Sequence, residues 1–138
     1  MSTRRDFLGP FQLIRLIRQG VTSAVWEAKR TGEKERVALK LLLSKYQKDK
    51  TEIASMKHEA LVGGEIRHPN VIAIFDYHVA NNIPFVSMQL FPAKNLKIEL
   101  RERPTYVQIN IKQIIQKCAQ GLAHMLSLIH IWTLPTKA

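Results

Sequence analysis

A single cysteine, Cys118, is all the thiol chemistry this 138-residue chain carries. One cysteine closes no internal disulfide, so burial and hydrogen bonding must hold the fold, as suits a reducing cytoplasm. Long apolar runs are missing as well. None approaches the roughly 18 residues that cross a bilayer, so no membrane segment is expected. The opening Met1-Ser2-Thr3-Arg4-Arg5-Asp6 is basic but leads into no long apolar stretch, so no signal peptide is expected. There is no internal repeat and no low-complexity segment. Carboxylates are scarce and uneven: 11 Asp and Glu face 21 Lys and Arg, and none follows Glu102. The five histidines, His58, His68, His78, His124 and His130, have no ligand-like spacing to acids or to Cys118, so no metal site is expected. Cys118 falls on the apolar side of a helical pattern, which reads as core rather than nucleophile.

What is present is ordinary for a globular protein: 46% hydrophobic and 23% charged residues, on a chain long enough for one domain with a real core. The formal charge of +10 is concentrated early, since residues 1–50 hold 12 Lys/Arg against 5 Asp/Glu. A basic half suits phosphate-bearing partners, although a solvated charged surface is the plainer reading. No basic run is interleaved with aromatics, so no nucleic-acid partner is expected.

Hydrophobic periodicity predicts strands at Phe11–Ile17, Ala24–Arg30 and Arg36–Leu43, with a glycine- and charge-bearing hairpin at Thr31–Glu35. Asp49 and Glu52 form a candidate capping box, opening a helix whose buried stripe is Ile53, Met56, Ala60 and Leu61. Gly63-Gly64 weakens that helix and Pro69 forbids its continuation. Two more strands, Asn70–Val79 and Ile83–Phe91, flank the turn-forming Asn81-Asn82. A short polar helix at Leu96–Arg103 follows. A second capping box at Thr105 starts a longer helix, with Val107, Ile111, Ile114, Ile115, Cys118, Leu122 and Met125 on one face. This order implies an α+β fold, an antiparallel sheet with one helix packed on it and a helical region beginning after it.

One residue is out of place in this pattern. Lys40 lies inside the apolar run "RVALKLLL" (Arg36–Leu43), where an ammonium group costs several kcal/mol unless it is paired. An isolated lysine would lay its stem along the sheet and keep its charge in water. Here its surroundings carry more information. "VALK" (Val37–Lys40), "KHEALVGGEIRHPNV" and the turn before "VWEA" together resemble the small lobe of a eukaryotic-like Ser/Thr protein kinase, from about Gly9 to about Met125. "LIRQG", "HPNVI" and "ELR" look most like the kinases of bacteria.

The resemblance implies a protein-kinase-like small lobe, a five-stranded antiparallel sheet plus one helix, followed by the first helices of a truncated large lobe. It assigns residues 1–91 to the small lobe and 92–125 to the exit from it and the first helices beyond. It implies that Lys40 contacts ATP phosphates and is held by a helix glutamate. Glu59 has the family's spacing both to Lys40 and to "HPN", whereas Glu65 lies too near Pro69. Val25 and Ala38 would enclose adenine, with Ile17 nearby. Met88 stands at the gatekeeper position, Gln89 where an acidic residue is usual, and Leu90 and Phe91 would offer backbone groups to adenine. For Met88 and Phe91, plain core packing is a compatible reading. His68 is expected as a buried, hydrogen-bonded histidine.

The chain departs from the family in three places. The pattern G-x-G-x-x-G-x-V maps onto Arg18–Val25 and keeps only Gly20, with Arg18 and Ser23 replacing glycines. Glycines there let the backbone approach phosphates closely and take positive φ, so this loop should be stiffer and its cradle less complete. The aspartates that the family uses as catalytic base and Mg²⁺ ligand have no counterpart, because no carboxylate follows Glu102. Mg²⁺ ligands are therefore expected only in a missing large lobe. From Leu126 the chain also leaves the family pattern: His130 is not followed by Arg-Asp. Leu126–Ile131 matches one reading frame of a transposon end used in sequencing-library preparation, which points to 126–138 as a non-native tail, a genuine divergent C-terminus being the other reading. Two functions stay open: the ATP-binding lobe of a Ser/Thr kinase that phosphorylates protein hydroxyls, or a non-catalytic pseudokinase-like nucleotide-binding or interaction module.

Overall fold

The structure, a computed structural model, describes residues 6–132, with side chains described as far as Leu128. Residues 133–138 of the expected tail lie outside the described residues. Two compact units divide the chain.

The first unit runs to Glu65 and resumes over Ile72–Phe91. Its antiparallel sheet has the order β1 (Phe7–Leu8), β2 (Phe11–Gln19), β3 (Ser23–Arg30), β4 (Arg36–Leu42), β6 (Ile83–Gln89), β5 (Ile74–Ala80). Six strands stand where five were expected. The sixth, β1, is a two-residue strand that Gly9 folds back onto β2 at φ 57°. Two residues carry no readable period, yet Leu8 and Phe11 are both buried core. Strand β5 begins at Ile74 rather than Asn70. The preceding residues are taken up in a turn, where Val71 N–H donates to the His68 carbonyl at 3.1 Å. Between β5 and β6, Asn81 and Asn82 both have positive φ, 53° and 63°, as a two-residue hairpin of matching twist requires.

The sheet buries apolar side chains on both faces. On one, Leu8, Phe11, Ala28, Leu39 and Phe85 form a cluster. On the other, Leu42 and Val86 meet Met56 and Ala60 of helix α1 (Lys50–Gly64). Asp49 caps α1, its Oδ1 accepting from Thr51 N–H at 2.9 Å and Glu52 N–H at 3.1 Å. The return bond of a capping box is not made: Asp49 N–H donates to the Tyr46 carbonyl instead, at 3.0 Å. Leu61 is exposed and does not join the buried stripe; Gly63 takes that place. A Cβ on Gly63 would collide with the Ile74 side chain, whereas one on Gly64 would meet nothing. The first glycine is thus a close-approach residue, and the second is replaceable.

The second unit comprises Ile66–Val71 and the chain from Pro92 onward. Asn95 caps α2 (Leu96–Glu102) through Ile98 N–H, and α3 runs from Pro104 to Trp132. Helix α3 starts one residue before the expected Thr105 cap, because Pro104 suits a first helical position and Val107 N–H already donates to the Arg103 carbonyl. Its covered side is Val107, Ile114, Gly121 and Met125, while Ile111, Ile115, Cys118 and Leu122 are exposed, contrary to expectation. Gly121 supplies the reason for part of this. The backbone of Asn70 and the Val71 side chain come so close that a Cβ there would sit 3.2 Å from each. His68 is half-buried rather than buried; its Nδ1 accepts from Asn70 N–H at 3.1 Å and its ring lies against His124.

Two outcomes follow from the packing of the first unit. Gly63→Ala must displace the end of the Ile74 side chain, which offsets its helix-propensity gain, so it should be less stable than Gly64→Ala, which should gain about 0.5–1 kcal/mol by helix propensity. Denaturant midpoints of the two variants check this, and equal effects would contradict the assignment. The second outcome concerns His78, which stacks on Phe85, meets the edge of Phe11, and bonds Ser87 Oγ at 2.9 Å. Burial holds its pKa below the ordinary 6.5, with Asp76 opposing and Arg30 assisting. The unfolded chain therefore binds the proton more readily, and stability is lost as pH falls from 6.5 towards the lower folded value. Thermal melts on either side of that pH should show the loss, and His78→Gln should flatten it.

Candidate functional site

Cross-strand register decides which side chains share a face. Lys40 on β4 is flanked by Val25 on β3 and Val86 on β6, and Ala38 by Glu27 and Met88. Val25, Ala38, Lys40 and Met88 therefore project from the face that carries α1. Helix α1 places Met56 and Ala60 against the sheet, which brings Glu59 over the middle of β4. Lys40 Nζ lies 3.0 Å from both Oε1 and Oε2 of Glu59. The lysine side chain is 28% exposed and the glutamate 47%, so the pair is open to solvent at one side. Glu65 caps the end of α1 and takes no part.

A recess of about 50 Å³ adjoins the pair, lined by Thr22 of the β2–β3 loop, Ser23 at the start of β3, Leu42, and Glu52, Ser55 and Met56 of α1. The loop is short and internally bonded: Gly20 N–H donates to the Ser23 carbonyl at 2.8 Å, and Leu43 N–H to the Thr22 carbonyl at 2.9 Å. Gly20 does not take positive φ, contrary to the usual reason for glycine there. It is needed for closeness, since a Cβ would stand 3.3 Å from the Ser23 carbonyl oxygen. Val21 at the tip is 84% exposed. Ile17 is the extra residue of a bulge between Leu16 and Arg18, and is itself partly exposed. Bulges re-aim side chains beside sites of this kind.

Of the three expected residues at and just beyond the end of β6, Met88 packs with Val86 and the α1 cluster. Gln89 points elsewhere: its Oε1 accepts from Ala73 N–H at 3.1 Å, and its own N–H donates to the Ala73 carbonyl at 2.8 Å. The Gln89 side chain thus closes the β5–β6 edge and does not join the Lys40 face. Phe91 is 60% exposed, so core packing does not account for it.

The sequence reading missed Glu27. This carboxylate is 5% exposed on the Lys40 face, held by Arg36 from β4 at 2.6 Å and by Arg15 from β2 at 2.5 Å. Hydrogen bonding to Arg36 first, then to Arg15, holds its pKa below the ordinary range against the opposing effect of burial. A carboxylate within "AVWEA" was the available signal, but its partners lie 12 and 9 residues away and only register brings them together. Among the described residues, no group of three or more His, Cys, Asp or Glu side chains could hold a metal ion, and no helix is long and apolar enough to cross a membrane.

A family model described as "Protein kinase domain" matches residues 11–131. The serine/threonine-protein kinase PknD of Mycobacterium tuberculosis is 31% identical over 124 residues, which is 88% of this chain and 19% of that protein. PknH of Mycobacterium bovis is 31% identical over 127 residues, 91% of this chain and 21% of its own length. The chain thus spans about a fifth of these curated relatives. The crystal structure of the Mycobacterium tuberculosis PknI kinase domain superposes with a TM-score of 0.65 at 15% identity, covering 97% of this chain and 54% of that one, a likeness of fold alone. With the family match extending over most of its length, this chain belongs to the protein kinase family, among the eukaryotic-like Ser/Thr kinases of bacteria.

Proposed function

We propose that this chain forms the ATP-binding lobe of a Ser/Thr protein kinase, whose longer form transfers the γ-phosphate of ATP to protein hydroxyls on the cytoplasmic side. The observation that supports this is the Lys40–Glu59 pair. A lysine held by both oxygens of a carboxylate is aimed before the nucleotide arrives, so its charge acts on phosphate oxygens without reorganisation. Val25, Ala38 and Met88 offer an apolar surface for adenine on the same face, with Ile17 at its edge and Phe91 beyond the end of β6. Gln89 contributes by its backbone at most.

The donor set fits a polyphosphate: one fixed ammonium, the Thr22 and Ser23 hydroxyls beside it, and a loop kept tight at Gly20. ATP, when bound, supplies the phosphoryl group; this chain's own residues only hold and orient it. Among the described residues no cluster of carboxylates fits Mg²⁺, whose ligands we assign, with the catalytic base and the protein substrate, to a large lobe outside this chain. The replacement of two loop glycines by Arg18 and Ser23 favours a second reading, a pseudokinase-like module that binds nucleotide without turnover.

The test is made in the longer kinase. Lys40→Met and Glu59→Gln should each lower kcat/KM about a hundredfold or more, because each removes transition-state charge or its positioning. Both variants should stay folded, since an ion pair this exposed contributes only about 0–1 kcal/mol. Near-wild-type turnover in both would overturn the assignment, and tight ATP binding without turnover in the unmutated protein would favour the second reading. The 138-residue chain alone, incubated with labelled ATP, Mg²⁺ and generic protein substrates, should incorporate no phosphate, for it has no carboxylate after Glu102. Incorporation that disappears in Lys40→Met would show the opposite.

A further inference from the structure

Arg18 replaces the first glycine of the phosphate-loop pattern, and the register gives it a definite address. Arg18 is the Cα partner of Val25, and Val25 is the Cα partner of Lys40. Residues directly opposite one another share a face, so Arg18, Val25 and Lys40 form one row across β2, β3 and β4. Adjacent strands are about 4.8 Å apart, which sets the arginine and lysine backbones about 10 Å from each other. Two long cationic side chains at that separation can reach the same short polyphosphate from either side of Val25.

The charges around Arg18 are already committed. Arg15 and Arg36 are both bonded to Glu27, and Lys40 to Glu59. Arg18 is exposed and has no side-chain partner among the described residues. Lys29, another unpaired cation of this face, lies four residues from Val25 along β3, about 13 Å away, too far to join the row. The bulge at Ile17 falls directly before Arg18, so the position that departs in residue type is also one where strand geometry is adjusted.

Resting on the nucleotide-binding reading above, we propose that Arg18 is a phosphate-binding residue that makes up with a side chain what the loop has lost in backbone. An arginine offers a planar fork of donors suited to phosphate oxygens, and such charge-assisted bonds are shorter and stronger than those of neutral amides. The ligand is the phosphate chain of a nucleoside di- or triphosphate; the base and ribose are left to Val25, Ala38 and Met88. Arg18 is therefore a gain of function at that position, where glycine would restore the usual loop and lose a charge.

The experiment titrates the full chain with ATP, ADP and adenosine, in parallel with Arg18→Gln, Arg18→Lys, Arg18→Gly and Lys40→Met. Arg18→Gln and Arg18→Gly should each weaken ATP and ADP binding roughly tenfold while leaving adenosine unchanged, and Arg18→Lys should recover part of the loss. The ATP affinity of the unmutated chain should fall with added salt more steeply than that of Arg18→Gln. If Arg18→Gly binds ATP as tightly as the parent, or tighter, Arg18 obstructs or ignores the phosphates and the proposal is wrong. If Lys40→Met weakens ATP while Arg18→Gln does not, this inference fails and the lobe assignment stands. If neither variant differs from the parent, or the parent binds no ATP, both fail together.

Discussion

Strand β4 is hydrogen-bonded along both edges, to β3 and to β6, so its alternation admits no local adjustment. Val37, Leu39 and Leu41 go to the cluster around Phe85, and Ala38, Lys40 and Leu42 to the side of α1. A slip of one residue would exchange these sets, placing an ammonium group beside Phe11 and Phe85 and presenting leucines to Glu59. Burying that charge unpaired costs several kcal/mol, far more than the pair with Glu59 contributes at the surface. The charge thus acts mainly as a penalty on wrong registers, and the apolar clusters supply the stability.

The same division holds for α1. Its placement comes from neutral contacts: Asp49 fixes where it begins, Met56 and Ala60 lie on the sheet, and Gly63 lets Ile74 approach. Glu59 is carried to Lys40 by those contacts and does not create them. A carboxylate positioned by packing rather than by its own ion pair remains in place when ligand competes for the lysine. Under the proposed nucleotide-binding reading, the lysine could then share its donors with phosphate oxygens without losing its partner.

Charge on the Lys40 face is arranged in two closed groups, Glu27 with Arg15 and Arg36, and Glu59 with Lys40. Glu27 is nearly buried, and its two arginines prevent an uncompensated carboxylate on the sheet. Of the remaining cations, Arg18 sits beside the loop, where a polyphosphate would lie under the proposed reading, and Lys29 lies at the far end of β3.

Local pattern was enough to determine the strands β2, β3, β4 and β6, the Asp49 cap and the Asn81-Asn82 turn, and the family resemblance added the pairing of Lys40 with Glu59. Each of these rests on periodicity, on turn chemistry or on a spacing within a recognisable motif. What tertiary structure alone decided are matters of register and close approach. Strand β1 exists because Leu8 and Phe11 find a core, not because two residues have a period. Glu27 meets its arginines across strands joined by loops whose lengths do not announce the pairing. Gly63 and Gly121 look in the sequence like helix weakeners, yet each is where another segment comes too near for a Cβ. Gln89 turns to Ala73 because the opposite face of β6 is the one open to it. Leu61, Ile111 and Ile115 fit a helical stripe by spacing, but a stripe is buried only where something packs on it, and that depends on the other elements rather than on the helix itself.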